Sequence, residues 1–316
     1  MSLEFFNNQP CDTRQYLRLM KTAYGKIFDE NWFRWYNNSA PTGRSRIYFC
    51  VDSETGQMVS SLAFLPIRVT CRGTPQPGSI YVNAMTAPAY QGRGLNLKLL
   101  QSALLDARKL GEKISITFPA DSRMSIKGML KTGWEPVCDI HYSALDRTPS
   151  KTHSSAQRIA SLDNRFDPLL EAFYARLKFG HFKDHEFFNW RVCDRPDQEY
   201  EIYAKFDGGI PAGIIVLKFY EEKSIRKTHI IELIGIDDGV IIELLRLAER
   251  EAHFRKSDIL NTWLFDDSVY RDQLTEFGFA ATADKNTLMV HWHEGATRQV
   301  SDRLHMHFSL ADNDVY

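Results

Sequence analysis

The chain has 316 residues and a formal net charge of −1 at pH 7, so it has room for two domains of ordinary size and lacks the global field that recruits nucleic acid or an anionic membrane. No apolar run approaches the 18 residues of a membrane span, and Met1-Ser2-Leu3-Glu4 lacks the layout of a secretory leader. Five scattered cysteines (Cys11, Cys50, Cys71, Cys138, Cys193) with no CxxC pair read as reduced thiols in a cytoplasm, not as a disulfide framework or zinc site.

In chain order, the first half opens with the aromatic run Trp32-Phe33-Arg34-Trp35. The strand segments Ile47-Tyr48, Val59 to Leu65 and Ile80-Tyr81-Val82 follow. Pro88 then leads into Gln91-Gly92-Arg93-Gly94-Leu95-Asn96. An apolar helix over Asn96 to Leu110 comes next, with Leu95, Leu99, Ala103 and Leu104 at helical spacing and Gly111 as its αL cap. Strand, glycine-bearing turn and helix start together make an anion site. The first helix amides have no internal partner, and the macrodipole places partial positive charge there. Glycines at 92 and 94 let those N–H groups come close to a phosphate. The plain alternative is a tight turn and nothing more. A P-loop is excluded because no G-x-x-x-x-G-K-S/T occurs. A dinucleotide fold is excluded because the spacing is not G-x-G-x-x-G and no acidic residue closes a following strand.

Past the helix, Ile114 to Phe118 reads as a buried strand and Ser122 to Lys131 as a helix closing on Gly133-Trp134. Pro88-Ala89-Tyr90 followed by Gln91-x-x-Gly94-x-Asn96 resembles the GNAT superfamily of acyl-CoA N-acyltransferases. Its signature is Q/R-x-x-G-x-G/A, often after a Pro-x-Tyr step. Asn96 departs from the small residue usual at the last position. Ser122, Ser125 and Met129 fall where the family carries Asn, Ala and Tyr. The resemblance covers roughly residues 12 to 147.

The second half echoes the first at an offset of 155 residues. Trp32-Phe33-Arg34-Trp35 with Pro41 aligns with Phe187-Phe188-Asn189-Trp190 with Pro196; Ile47-Tyr48 aligns with Ile202-Tyr203, and Asp52 with Asp207. Between the halves, Thr148 to Ser155 is polar, proline-bearing and aperiodic, as a linker is. Helices are expected at Asp167 to Leu177, around Phe187 to Trp190, at Val240 to Phe254 and at Val269 to Phe277. Strands are expected at Glu201 to Lys205, Gly213 to Phe219, His229 to Ile236, Ile259 to Leu264 and Thr287 to Trp292. The expected fold is therefore mixed α/β, with two tandem GNAT-like domains, each a mostly antiparallel sheet flanked by helices. The domains are 1–147 with the acyl-CoA site, a linker at 148–158, and 159–316 without a pyrophosphate loop.

The halves differ at the phosphate position. Where the first has Gln91 to Asn96, the second has Ile236-Asp237-Asp238-Gly239-Val240. Two carboxylates cap a helix well but repel a diphosphate: at an effective dielectric near 20, a like-charge pair about 4 Å apart costs on the order of 4 kcal/mol. One nucleotide site is expected, in the first half, with the second half shaping a substrate cleft at the interface.

The resemblance implies that acetyl-CoA, or another acyl-CoA, is the cosubstrate. The implied binding residues are Met85 and Thr86 toward the thioester carbonyl, Gln91, Gly92, Arg93, Gly94, Leu95 and Asn96 around the pyrophosphate, and Ser122. Many relatives carry a carboxylate base where this chain has Asn83, which cannot take a proton but can orient a substrate. They carry a tyrosine acid where this chain has Met129. Asn83 and Asp121 are the candidate catalytic residues; Tyr81, Tyr90 or a second-half group are further candidates. His291-x-His293 and His305-x-His307 find no third ligand at a fitting spacing, so no metal is expected. The aromatic cluster from Phe173 to Trp190 reads as packing of amphipathic helices, and Glu232, amid apolar residues, as a buried carboxylate of raised pKa. The expected activity is acyl transfer to an amine of a small molecule such as an amino sugar or amino acid derivative. Two rivals are a non-catalytic CoA-ester-binding protein and an aminoacyl-tRNA-dependent peptidoglycan cross-bridge transferase. The latter lacks the glycine turn and carries a helical arm not seen here.

Overall fold

The computed structural model describes residues 2–120, 123–145, 154–294 and 305–313. The first half runs β1 (Leu3–Asn7), α1 (Thr13–Tyr24), α2 (Glu30–Asn38), β2 (Arg46–Asp52), β3 (Gln57–Cys71) and β4 (Thr74–Thr86), then α3 (Leu95–Lys109), β5 (Ile114–Thr117), α4 (Arg123–Leu130) and β6 (Glu135–Leu145). The second runs β7 (Gln157–Ile159), α5 (Asp167–Ala175), β8 (Phe179–Phe182), α6 (His185–Phe188), β9 (Glu201–Asp207), β10 (Ile210–Glu222) and β11 (Ile225–Gly235). It finishes with α7 (Asp238–Phe254), β12 (Ile259–Leu264), α8 (Arg271–Phe277), β13 (Ala280–Trp292) and β14 (Met306–His307).

The expected mixed α/β architecture is present, as one continuous sheet in place of two separate ones. Its order is β1-β2-β3-β4-β5-β13-β6-β12-β11-β10-β9-β7, with β8 joining β3 and β14 to the side. Each half lends a strand to the other. β13 lies between β5 and β6, and β6 lies between β13 and β12. The pairs are antiparallel except β4 with β5, β11 with β12, and β8 with β14. The strand sequence of one half thus repeats in the other about the β6–β13 pair.

Apolar faces explain the layers. Leu95, Leu99, Ala103 and Leu104 of α3 are buried, with Leu99 and Ala103 packed against Tyr48, Leu62 and Phe64 of the sheet. In the second half α7 buries Val240, Ile241, Leu244, Leu245 and Ala248 in the same way. One apolar cluster runs from Tyr16 and Trp32 through Trp190 to Leu310 and so spans both halves, while α3 packs over a separate cluster on the sheet.

Several segments differ from the sequence reading. Phe179–Phe182 is a strand, paired with β3 from Arg68 to Cys71, where helical packing was expected. Four buried residues in a row suit a strand covered on both faces. Of the expected linker, residues 148–153 lie outside the described residues, and Gln157 and Arg158 already belong to β7, which pairs with β9. Gly111 follows α3 at φ 76°, as a helix-ending glycine should.

Candidate functional site

The parallel pairing of β4 with β5 covers only Gly78 to Ile80 against Ile114 to Ile116. Beyond it β4 continues to Thr86 without a β5 partner, so the two strands separate. Thr117 Oγ1 donates to Tyr81 O at 2.8 Å, close to where they part. A bulge in β4 adds to the divergence: the register with β3 shifts between Val82 and Met85, and Asn83 sits at φ 52°.

The glycine turn lies at the end of β4. Pro88–Tyr90 form one 3₁₀ turn, Gly92 and Gly94 take φ of 76° and 72°, and Gly94 caps α3 with no side-chain hydrogen bond. Both backbone conformations favour glycine. A Cβ built on either would meet nothing within 4 Å, so the space in front of the first turn of α3 is open. Gln91, Gly92, Arg93 and Gly94 are exposed, Asn96 is half-buried, and Leu95 is buried beside Tyr90. Arg93 folds back on the turn: Nη2 donates to Ala89 O at 3.0 Å and the guanidinium lies 5.0 Å from the centre of the Tyr90 ring. Gln91 reaches Thr86 O at 3.4 Å. The uncapped mouth, its dipole and the glycine clearance fit a diphosphate.

Asn96 is resolved by its partner. Its Oδ1 accepts a hydrogen bond from Tyr81 Oη at 2.9 Å, which turns the carboxamide toward β4. Behind it, the Met85 side chain is buried, its carbonyl accepts from Ser60 Oγ at 3.0 Å, and Thr86 Oγ1 lies 3.0 Å from the same hydroxyl.

A cavity of about 560 Å³ opens where the strands separate. First-half residues Tyr24, Lys26, Phe28, Asn83, Phe118, Met129 and Tyr142 line it together with Asn286, Asp312 and Asn313. Asn83 is 6% exposed, with its carboxamide beside the buried Tyr16 hydroxyl. The Tyr24 hydroxyl donates to Ala84 O on the bulge. The cavity is thus lined by residues of both halves. Tyr24, Phe28, Tyr142, Asn286 and Asn313 escaped the sequence reading because no local pattern marks a residue as facing a distant strand. Asp121 and Ser122 lie outside the described residues.

The tyrosine candidates are occupied. Burial pushes the Tyr81 hydroxyl up, with the Asn96 bond opposing it only in part. Tyr90 Oη donates to Asp52 Oδ2 at 2.5 Å, and that bond raises its pKa.

The equivalent place in the second half is filled. Asp237 accepts from Val240 N–H at 2.9 Å at the mouth of α7, and Arg176 donates to Gly235 O at 2.7 Å and to Ile236 O at 3.0 Å. Deeper in, Lys183 Nζ bonds Glu232 at 2.6 Å and Asp312 at 3.0 Å, His307 Nε2 bonds Glu232 at 2.7 Å, and His181 Nδ1 bonds Asp312 at 2.7 Å. Burial raises the pKa of Glu232, but Lys183 and His307 outweigh it, so the shift is downward, opposite to the expectation from its apolar neighbours. His293 is likewise engaged, with Ser115 Oγ at 2.8 Å.

Residues 7–137 match the family profile described as an acetyltransferase (GNAT) domain. This segment is a GNAT domain. Within it the loop that frames α3 carries Gln91-x-x-Gly94-x-Asn96, and the Asn96 side chain is drawn onto Tyr81. Solved structures extend the likeness through both halves. A GCN5-related N-acetyltransferase from Anabaena variabilis superposes with a TM-score of 0.70 at 14% identity, over 92% of this chain and 72% of that one. A probable N-acyltransferase of unknown function from Enterococcus faecalis gives 0.71 at 12%, over 93% and 73%. Saccharomyces cerevisiae N-myristoyltransferase with bound myristoyl-CoA gives 0.66 at 11%, over 92% and 80%. At these identities the likeness is one of fold. No curated protein matches the sequence.

Proposed function

We propose that this chain is an acyl-CoA-dependent N-acyltransferase that moves an acetyl or other short acyl group to an amine of a small molecule, an amino sugar or amino acid derivative. The observation that carries the reading is the open, glycine-framed mouth of α3 beside the separation of β4 from β5. In this reading the amides from Gln91 to Asn96 hold the diphosphate of acetyl-CoA, and the β4 backbone at Met85-Thr86 faces the thioester carbonyl. Acyl-CoA supplies the activated acyl group. The protein supplies orientation and a site shielded from water, by which a second-order reaction becomes effectively first-order.

Asn83 stands at the bulge with a side chain directed by strained backbone, and it orients the acceptor or a water without taking a proton. The second half contributes part of the wall through Asn286 and Asn313, beside Tyr142 of β6, while its own helix mouth carries carboxylates. The chain thus reads as a tandem pair, 1–147 and 159–316, with the nucleotide on one side only. A cytoplasmic setting is consistent with five free thiols and with no described helix long and apolar enough to cross a membrane.

A second reading, binding of a CoA ester without turnover, draws on one observation: the Tyr81 and Tyr90 hydroxyls are already committed to Asn96 and Asp52. Calorimetry with acetyl-CoA followed by a thiol-release assay over a panel of amines tests both. Binding with amine-dependent thiol release is expected. Binding with no release on any amine favours the second reading, and no binding removes both.

A further inference from the structure

The cavity at the strand separation passes through the sheet. Successive residues of β4 point to opposite faces. Ile80 and Val82 join the apolar cluster that holds Met20 and Trp32, whereas Tyr81 joins Met129 and the buried face of α3. All six of these residues line the cavity, which is therefore bounded from both faces where β4 and β5 have parted.

Its walls divide by chemistry. On the side of α1 and α2, Met20, Phe28, Trp32, Ile80 and Val82 present hydrocarbon and aromatic surface, and Phe28 stacks on Trp32 at 4.1 Å between ring centres. The hydrogen-bonding groups come from other elements. Asn286 of β13 donates to Tyr142 of β6 at 3.2 Å, and Arg191 Nη2 holds the Asn313 carbonyl at 2.8 Å. Lys26, two residues before Phe28, adds positive charge at an exposed position, while the Asp312 carboxylate is bound by Lys183 and His181. An acceptor ammonium is disfavoured beside Lys26 and against apolar surface. A hydrocarbon chain is favoured there.

The apolar wall also stands where an acyl chain would start. Val82 is the last residue of β4 in register with β3 before the bulge, and the ladder resumes at Met85. In the acyltransferase reading the thioester carbonyl faces Met85-Thr86, so the chain attached to that carbonyl begins next to Val82. A volume of about 560 Å³ is that of a whole small-molecule site, more than a two-carbon acyl group fills.

We propose that the wall of Met20, Phe28, Trp32, Ile80 and Val82 seats the acyl chain of the CoA thioester and selects a linear chain of about four to six carbons over acetyl. This rests on the acyltransferase reading for the thioester. The apolar pocket itself rests on the cavity alone.

The test uses the full chain. CoA, acetyl-CoA, butyryl-CoA and hexanoyl-CoA are titrated by calorimetry. The acetyl and hexanoyl thioesters of N-acetylcysteamine, which lack the nucleotide, are titrated by NMR. Wild type should bind hexanoyl-CoA about tenfold or more tightly than acetyl-CoA, with butyryl-CoA between, because each buried methylene adds affinity. Phe28→Asp puts a carboxylate in the apolar wall, and Val82→Phe fills the space from the sheet side. Each variant, once circular dichroism shows it folded, should bring the three thioesters within about twofold of one another. Equal affinity of wild type for acetyl-CoA and hexanoyl-CoA, or a hexanoyl preference undiminished in a folded variant, overturns the proposal; CoA binding in the same titrations leaves the acyltransferase reading standing. If no CoA species binds while the hexanoyl thioester of N-acetylcysteamine is preferred over the acetyl one in wild type and not in Phe28→Asp, the acyltransferase reading fails and the pocket stands. Binding of none of the probes overturns both.

Discussion

Trp35 and Trp190 exchange hydrogen bonds. Trp35 Nε1 donates to Trp190 O at 2.7 Å, Trp190 Nε1 donates to Trp35 O at 3.1 Å, and the rings stack at 5.3 Å between centroids. The two residues are 155 positions apart, the offset of the internal repeat. Reciprocal contacts in which each residue does to its counterpart what the counterpart does to it are the mark of a two-fold relation. Together with the exchange of β6 and β13, this contact ties the two halves to each other.

Either Trp35→Ala or Trp190→Ala should therefore cost about 3–5 kcal/mol, as buried tryptophan truncations do. The double variant should lose less than the sum by about 0.5–3 kcal/mol, since the second truncation removes a contact already broken. Denaturant midpoints measure both. Additive losses would show that the two rings are independent core residues.

The buried cluster around Lys183 predicts a reversal in pH dependence. Attraction to Lys183 holds the folded pKa values of Glu232 and Asp312 below their ordinary range against the opposing push of burial. Their contribution to wild-type stability is full above the ordinary carboxylate range of about 4 and is lost as pH falls through the folded values. Lys183→Met leaves two carboxylates buried without their cation and should cost about 3–5 kcal/mol near neutrality. With the cation gone, burial drives the folded values upward, so the variant should regain stability as pH falls from 7 toward 5. Parallel pH profiles for the two proteins would contradict the account.

Asn96 separates a structural role from a binding one. Asn96→Ala leaves the buried Tyr81 hydroxyl unpaired and should lower stability by about 1–3 kcal/mol. The main-chain amide at 96 persists, so acetyl-CoA affinity should stay within a few-fold of wild type. A variant of wild-type stability with lost affinity would move the side chain into the nucleotide site.

The glycine turn and α3 were legible because their signals are local. Gly92 and Gly94 need positive φ, and Leu95, Leu99, Ala103 and Leu104 repeat at helical spacing over one continuous stretch. The strand exchange was not legible. Periodicity tells which residues of β6 and β13 face inward, but not which strand lies beside them. Glu232 was legible as buried from its apolar neighbours. The sign of its shift was not, because Lys183 and His307 lie 49 and 75 residues away. Phe179–Phe182 misled for a related reason: a run of four buried residues carries no period that distinguishes strand from helix.

The central claim is that the amides at the start of α3 hold a diphosphate, and Gly94→Asp tests it most directly. The substituted position sees open space, so the fold should tolerate the change apart from the strain of a non-glycine residue at φ 72°. A carboxylate there opposes the ligand's charge and should weaken acetyl-CoA binding by about a hundredfold or more. Calorimetry on wild type and variant, with circular dichroism as the fold control, should show tight binding lost and secondary structure kept. Undiminished affinity in a folded Gly94→Asp protein would contradict the account.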